Sequence, residues 1–237
     1  MIYDRRGSAV AEAEPSDFDW ERILCGLSEK DAFFFTGITP ALSESLPGIT
    51  AEAAETCRKK KIAVFCDVNY RPTLWGHEKA GETMRSLVCG IDTLTVNEEH
   101  AALLFGVRSE KGDETERLTE IAGTLARECG IRRVALTLRL SESSEINTVS
   151  GCLYEDGRLF RSKPWRVPIV DRVGGGDAFS AGLIHGFLAG WDPGQTVEFA
   201  AAANAFKHSI HGDALVASAE EISRLAASTD GTVRMIR

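Results

Sequence analysis

The sequence predicts an α/β fold with a mostly parallel central sheet that helices cover on both faces. Short, almost continuously apolar runs alternate with longer segments of helical character, and each apolar run ends in a cluster of polar residues. The chain has 237 residues, which is enough to bury a substantial core. No linker, repeat or low-complexity tract divides it, so we expect a single domain over 1–237.

Five segments have the apolar character of buried strands, and helical segments lie between and after them. The predicted strands are 32–37, 62–69, 91–97, 133–139 and 165–171. The predicted helices are 41–60, 78–89, 98–105, 115–129, 177–189, 196–210 and 219–227. Residues 147–154 and 158–162 predict a hairpin, because the Asp156-Gly157 pair between them is typical of a tight turn.

The charge and the cysteines limit the classes of partner and compartment. A net charge of −8, from 27 basic and 35 acidic residues, argues against nucleic acid or an anionic membrane as the partner. It leaves room for a small phosphorylated ligand. The six cysteines include no C-x-x-C pair, so we expect neither a zinc site nor a disulfide. With no signal peptide or apolar stretch near the roughly 18 residues of a membrane span, we expect a cytoplasmic protein.

Polar residues follow every predicted strand. Ligands of open parallel sheets bind outside the carboxyl ends of the strands, so these residues are the first candidates for a site. The clusters are Thr36 to Thr39, Asp67 to Pro72, Asn97 to His100, Thr137 to Arg139, and the glycines 174–176 with Asp177. Together they predict one binding edge.

The stretch "VDRVGGGDAFSAG" combines three glycines with an aspartate at the start of a predicted helix. A helix N-terminus attracts anions, and glycines let the backbone approach a phosphate closely. An ionised Asp177 at that place can accept the proton of an attacking hydroxyl. The alternative is that Asp177 only caps the helix. The stretch matches neither a Walker loop, which needs a lysine, nor G-x-G-x-x-G, because Phe179 occupies the third glycine position.

The stretch "DRVGGGDAFSAGL" resembles the glycine–aspartate signature of the ribokinase-like (PfkB) carbohydrate kinases. Other stretches resemble one branch of that family, the 2-keto-3-deoxygluconate kinases, and they occur in the family's order. They are "YDRRGSA", "GITPAL", "DVNYRPTLW", "VNEEHAALLFG", "TLRLSES", "NTVSGCLYEDG" and "KHSIHGD".

This resemblance implies a three-layer α/β/α ribokinase-like fold and ATP-dependent phosphorylation of a hydroxyl of a sugar acid. ATP and Mg²⁺ are the implied cofactors, and a homodimer is an assembly to expect. The implied roles are Asp177 as the base, the amides of Gly174, Gly175 and Gly176 at the transferring phosphoryl group, Tyr3, Arg5, Asn69 and Arg71 at the acidic sugar, and Thr137, Arg139, Asn204 and His208 near the nucleotide.

Two departures from the family pattern bear on activity. The family's N-x-x-E element organises magnesium through water, and here His100 stands in the place of its glutamate. Asn97 and Glu98 are the remaining candidates for a contact through water, Glu99 is an alternative to Glu98, and weakened use of the metal is a further alternative. The family's N-terminal strands and substrate lid have no counterpart, so we expect the C-terminal portion of a family domain. Two alternatives therefore stay open: a kinase for a neutral sugar or nucleoside, and a catalytically silent nucleotide-binding remnant.

Several candidates also have an ordinary structural explanation. Arg71 could form only a surface salt bridge, and Tyr3 and Arg5 could belong to a disordered tail. Asn204 and His208 could be unremarkable helix residues, which is the interpretation we favour for His185.

Overall fold

The computed structural model describes residue 5 and residues 7–228. The strands are β1 (Ala32–Thr36), β2 (Ala63–Asp67), β3 (Thr93–Val96), β4 (Arg133–Ser141), β5 (Ile146–Glu155), β6 (Arg158–Arg161) and β7 (Trp165–Pro168). The α-helices are α1 (Trp20–Ile23), α2 (Leu46–Lys59), α3 (His77–Leu87), α4 (Glu98–Phe105), α5 (Glu114–Cys129), α6 (Gly175–Leu188), α7 (Pro193–Lys207) and α8 (Ala219–Ala227). Pro15–Asp17 and Thr39–Ala41 form 3-10 turns.

The chain forms two compact units, Met1–Val134 and Ala135–Arg237. In the first unit β1, β2 and β3 are parallel neighbours, with β2 between the other two. The first four residues of β2 are buried, as expected for a strand covered on both faces. Helix α2 buries Ile49, Ala53 and Cys57, which are spaced four residues apart and so lie on one side of the helix.

The carboxyl ends of these three strands are in register. Thr36 pairs with Asp67, which in turn pairs with Thr95. Hydrogen bonds extend the alignment by one residue, because the Gly37 N–H donates to the Asp67 carbonyl and the Val68 N–H donates to the Thr95 carbonyl. The segments after β1, β2 and β3 therefore leave the sheet along one edge, as the sequence predicts.

The second unit is built around β5, which is antiparallel to both β6 and β7. The predicted hairpin turn is confirmed: Asp156 and Gly157 have φ of 49° and 79°, the positive values that a type I′ turn requires. Only four residues, 142–145, connect β4 to its neighbour β5, so that pair is antiparallel as well. Strands β4 and β7 consequently run in the same direction.

Helices α6 and α7 pack closely because small residues line their contact. A Cβ added at Gly182 would lie 2.6 Å from the Ala200 Cα, and one at Gly186 would lie 2.7 Å from the Thr196 Oγ1. The alanine run of α7 is fully buried and joins Trp165 and Phe179 in the core. The rings of His185, Trp191 and Phe199 contact one another with centroids 5.1–5.2 Å apart, a packing role that agrees with the interpretation of His185 as an ordinary helix residue.

The predicted elements are all present, with shifted ends. Helix α2 begins at Leu46 rather than at residue 41, with Pro47 at its second position, where a missing N–H costs nothing. Helix α7 begins at Pro193 rather than at residue 196, because the Asp192 carboxylate caps it by accepting the Gly194 and Gln195 N–H groups.

No helix among the described residues is long and apolar enough to cross a membrane. The cysteines form no disulfide in this part of the chain, and four of the six are buried. Whether 1–237 acts as a single domain stays a prediction.

Candidate functional site

A glycine in the left-handed conformation directly precedes helix α6. Gly174 is the N-cap residue with φ of 83°, and a Cβ there would overlap the carbonyl oxygen of Asp213. The prediction that the helix begins at residue 177 is wrong by two residues, because the positive φ of Gly174 lets Gly175 start it. The first helical N–H groups lack partners within the helix and give its start a partial positive charge.

Asp177 is the third residue of α6, so the proposal that it caps the helix is also wrong. No side chain caps α6, and both Gly176 and Asp177 are exposed in its first turn. The Asp177 carboxylate therefore reaches solvent beside N–H groups that favour an anion. This geometry places a carboxylate next to a helix start that favours anions.

The segment before α6 is fastened by Asp171, which the sequence analysis did not single out. Its carboxylate accepts the Val173 N–H at 3.0 Å and the Gly212 N–H at 3.1 Å. The Val173 hydrogen bond is the main reason that the pKa of Asp171 lies below its ordinary value. The Val170 N–H donates to the carbonyl of His208 at 2.8 Å. The glycine turn and residues 208–213 are thus held together by backbone contacts.

Asn204 and His208 lie directly against the start of α6. A Cβ at Gly175 would lie 2.9 Å from the His208 Cε1 and 3.5 Å from the Asn204 Oδ1. The Asn204 Oδ1 is buried without a hydrogen-bond partner among the described residues. The structure therefore brings these two predicted nucleotide-site residues to the glycine turn.

His208 is buried and points its Nδ1 at the Asn204 carbonyl oxygen, 2.8 Å away. A carbonyl only accepts, so in the neutral ring Nδ1 carries the proton. Burial is the main cause that lowers the pKa of His208, and the neighbouring Lys207, Arg139 and Arg172 lower it further. These cations make the surroundings of the α6 N-terminus favourable for a polyphosphate.

Two further nucleotide-site candidates lie on β4. Thr137 is half-buried and Arg139 is exposed, and residues two apart on a strand share a face. Arg139 has no carboxylate partner among the described residues, so its charge is available to a ligand. Arg172 is held in place by donating to the Ser144 carbonyl at 3.1 Å.

The first unit carries the predicted sugar-site residues in the segment after β2. Asn69 has φ of 35°, an unusual value for a side-chain-bearing residue, and its N–H donates to the Asp67 carboxylate at 3.0 Å. Arg71 is exposed and forms no ion pair within the described residues, so the salt-bridge alternative finds no support. Tyr3 lies outside the described residues. Arg5 is half-buried, and its carbonyl accepts the Ser8 hydroxyl.

Asp67 and Asp171 shape the candidate site, although the sequence pattern indicates Asp67 only as part of the polar cluster after β2 and does not single out Asp171. Each follows or ends a strand and accepts the N–H two residues later, at Asn69 and Val173 respectively. This is the Asx turn, which an aspartate at a strand's carboxyl end can signal. The signal was present in the sequence, although only the structure shows which amide each carboxylate binds.

Asn97 and Glu98 do not fit as direct ligands of Mg²⁺. The Asn97 Oδ1 caps α4 by accepting the His100 N–H at 2.7 Å, and the Glu98 Oε1 binds the Arg117 Nε at 2.9 Å. Within the described residues, no three His, Cys, Asp or Glu side chains form a group that could hold a metal. The water-mediated role of these two residues stays a prediction.

Gly174→Ala should destabilise the protein far more than Gly190→Ala. Both glycines have positive φ, of 83° and 69°, but only at Gly174 does a Cβ meet another atom. We expect Gly190→Ala to cost about 1 kcal/mol from backbone strain alone. Gly174→Ala should cost about 3 kcal/mol or more, because Asp213 must also move. Urea unfolding of the two variants measures the difference, and equal losses would contradict the close approach.

The pKa of His208 predicts acid sensitivity. The buried ring resists protonation, while the unfolded chain accepts a proton near its ordinary pKa of 6.5. The stability contribution is therefore present above that pH and is lost as the pH falls below it. His208→Gln should show a smaller drop in melting temperature between about pH 7.5 and 5.5 than the wild type. The exposed His211→Gln is the control, and a parallel drop in all three proteins would refute the assignment.

This chain is similar in sequence to known carbohydrate kinases. Residues 2–219 match the model of the pfkB family carbohydrate kinases. A 2-dehydro-3-deoxygalactonokinase from Haloferax volcanii is 28% identical over 233 residues, which are 98% of this chain and 67% of that protein. A 2-dehydro-3-deoxygluconokinase from Thermoproteus tenax is 29% identical over 215 residues, 90% of this chain and 58% of that one. The chain thus spans about three fifths to two thirds of these relatives' length.

Solved structures confirm the fold class. The 2-dehydro-3-deoxygluconokinase of Thermotoga maritima superposes with a TM-score of 0.90 at 41% identity, covering 96% of this chain and 68% of that one. A PfkB family carbohydrate kinase from Listeria grayi gives 0.87 at 31% identity, with coverage of 96% and 68%. The three-layer α/β/α fold with a mostly parallel sheet is therefore confirmed. Fold and sequence agree that the chain belongs to the PfkB family of carbohydrate kinases.

Proposed function

We propose that this chain carries the phosphoryl-transfer site of a sugar-acid kinase. The reaction moves the γ-phosphate of ATP to a hydroxyl of a 2-keto-3-deoxy sugar acid, with 2-keto-3-deoxygluconate as the first substrate to test. The observation that carries the proposal is the exposed Asp177 carboxylate in the first turn of α6, beside the Gly176 and Asp177 N–H groups, which have no acceptor among the described residues. The similarity to relatives whose names identify them as 2-dehydro-3-deoxygluconokinases or as a 2-dehydro-3-deoxygalactonokinase supports a sugar acid as the class of substrate.

Asp177 acts as the base in this mechanism. Its carboxylate takes the proton of the sugar hydroxyl, the freed oxygen forms a bond to the γ-phosphorus, and the bond to the β-phosphate oxygen breaks to release ADP. The exposed Gly176 N–H lies in the same helical turn and stabilises the negative charge on the transferring group, whereas the N–H of the buried Gly175 already donates to the Arg172 carbonyl at 3.5 Å. The helix start thus supplies both the base and the anion site.

The nucleotide lies, in our proposal, against the cations around the glycine turn. Arg139 and Arg172 face the polyphosphate, and His208 supplies a neutral ring beside Asn204. The buried Asn204 Oδ1 has no hydrogen-bond partner among the described residues, which leaves it as an acceptor for a ligand donor such as a nucleotide hydroxyl. ATP brings its own divalent cation as part of the substrate, and Asn97 and Glu98 enter no step.

Asp177→Asn should lower kcat by about 10²- to 10⁴-fold, because the amide cannot take the hydroxyl proton. ATP affinity should change little, since the helix N–H groups remain. We would measure ADP release with 2-keto-3-deoxygluconate and ATP, and ATP binding by calorimetry. Asp156→Asn is the matched control: it makes the same chemical change in the β5–β6 turn, where asparagine also tolerates positive φ.

Three results of this experiment separate the hypotheses. Turnover that only Asp177→Asn abolishes supports the kinase assignment and the base. Near-normal turnover of Asp177→Asn would make another group the base. ATP binding without turnover in the wild type would favour the catalytically silent nucleotide-binding chain instead, with the chemistry depending on protein beyond this segment.

The preference for an acidic sugar rests on Arg71. Its guanidinium is exposed and has no carboxylate partner in the described part of the chain, while the strained Asn69 and the following residues fix its backbone. A planar guanidinium binds a carboxylate through two hydrogen bonds, which suits the acid group of the sugar. A kinase for neutral sugars or nucleosides would have no use for this charge.

Arg71→Leu should raise KM for 2-keto-3-deoxygluconate by about 10- to 100-fold, since one charge-assisted interaction is lost. The KM of Arg71→Lys for the same sugar should lie between those of the wild type and Arg71→Leu, because lysine keeps the charge and loses the paired geometry. KM for ATP should stay unchanged in both. Assays with the acid and with a neutral sugar of equal length test this, and an equal loss for both sugars would point to the neutral-sugar alternative.

A cytoplasmic location is a further proposal, consistent with six cysteines that form no disulfide in the described structure.

A further inference from the structure

His100 is fixed at the start of α4, in the place where the family pattern has a glutamate. Its N–H donates to the Asn97 Oδ1 at 2.7 Å, so the helix cap sets the position from which the side chain extends. The ring is half-buried rather than directed freely into solvent. The imidazole of His100 is therefore held in place and packs against neighbouring side chains.

The neighbour of the His100 ring is Tyr70. The two rings meet edge to face, with centroids 5.6 Å apart and planes at 87°, a favourable arrangement for aromatic groups. The Tyr70 hydroxyl donates to the carbonyl of the buried Trp75 at 3.2 Å. Tyr70 is thus held at its ring by His100 and at its hydroxyl by Trp75.

Tyr70 lies between two predicted sugar-site residues. Asn69 precedes it in a strained conformation, with its N–H bound to Asp67, and Arg71 follows it with an exposed side chain. Strained backbone persists only where its surroundings fix it. The contact between His100 and Tyr70 is one of the contacts that fix this segment.

Replacing a carboxylate by an imidazole also changes the charge beside Arg71. Arg71 is close enough to His100 to disfavour a second positive charge there, and burial lowers the pKa of His100 more strongly than the nearby Glu99 raises it. A glutamate in the same place would pair with the guanidinium and compete with an acidic substrate. An imidazole carries no negative charge, so it forms no ion pair with Arg71 and leaves that charge to a ligand.

We propose that His100 is a positioning residue for substrate binding: it packs on Tyr70, holds residues 69–71 in place, and leaves the Arg71 guanidinium unneutralised for the carboxylate of an acidic sugar. This inference rests on the proposed function and goes beyond it, because it assigns a substrate-side role to the position that the family pattern associates with magnesium.

The first test is hydrogen–deuterium exchange in residues 69–75. The Asn69 and Leu74 N–H groups are hydrogen-bonded within this segment and report on its order. His100→Ala should speed their exchange by about fivefold, since one aromatic contact is lost. His100→Phe keeps the ring and should restore slow exchange. His77→Ala, at the exposed start of α3, is the matched control and should leave this segment unchanged.

The second test measures whether a change at His100 affects KM for the sugar acid separately from kcat. His100→Ala should raise KM for 2-keto-3-deoxygluconate by about fivefold, with kcat, KM for ATP and the Mg²⁺ requirement within about twofold of the wild type. His100→Glu should raise KM for the acid at least as much, because its carboxylate neutralises Arg71.

The results distinguish this inference from the proposed function. Unchanged exchange in His100→Ala would overturn the positioning role, whatever the activity. A changed Mg²⁺ requirement with an unchanged KM for the acid would overturn it in favour of a metal-side role. Absence of turnover in the wild type would refute the activity of this chain, while the exchange comparison would still decide whether His100 orders residues 69–71.

Discussion

The candidate site of the second unit depends on the close approach of Gly174 to the Asp213 carbonyl. No side chain fits between them, and the left-handed turn at Gly174 directs the chain into α6. The same approach brings residues 208–213 against the turn, so that His208 and Asn204 come to lie beside Gly175. The anion site, its cationic surroundings and the place of Asp177 all follow from this one steric constraint.

In both units an aspartate after or at the end of a strand shapes the segment that carries the candidate site residues. Asp67 binds the N–H of Asn69, and Asp171 binds the N–H groups of Val173 and Gly212. In each case a carboxylate satisfies backbone donors that the end of the strand leaves exposed, and the following residues take conformations that a continued strand could not provide. The functional side chains are thus positioned by residues that need not contact a substrate themselves.

His100 shows why a family pattern must be tested against local chemistry. Two of the residues that correspond to the family's N-x-x-E element bind other parts of the protein: Asn97 caps α4, and Glu98 pairs with Arg117. The ring of His100 packs on Tyr70. An imidazole at this position binds hydrated magnesium poorly and packs well against an aromatic ring. In our proposal, this departure from the pattern gives the position a role on the side of the sugar substrate.

The sequence by itself determined the elements and the chemistry of the glycine turn. Apolar runs and turn residues predicted each strand and the hairpin at Asp156-Gly157, because periodicity and backbone preference are local properties. The tertiary structure alone decided that Gly175 rather than Asp177 begins α6, that Asp171 also binds the distant Gly212 N–H, and that His100 meets Tyr70. Those outcomes depend on atoms distant in sequence approaching within a few ångströms, which no local pattern encodes.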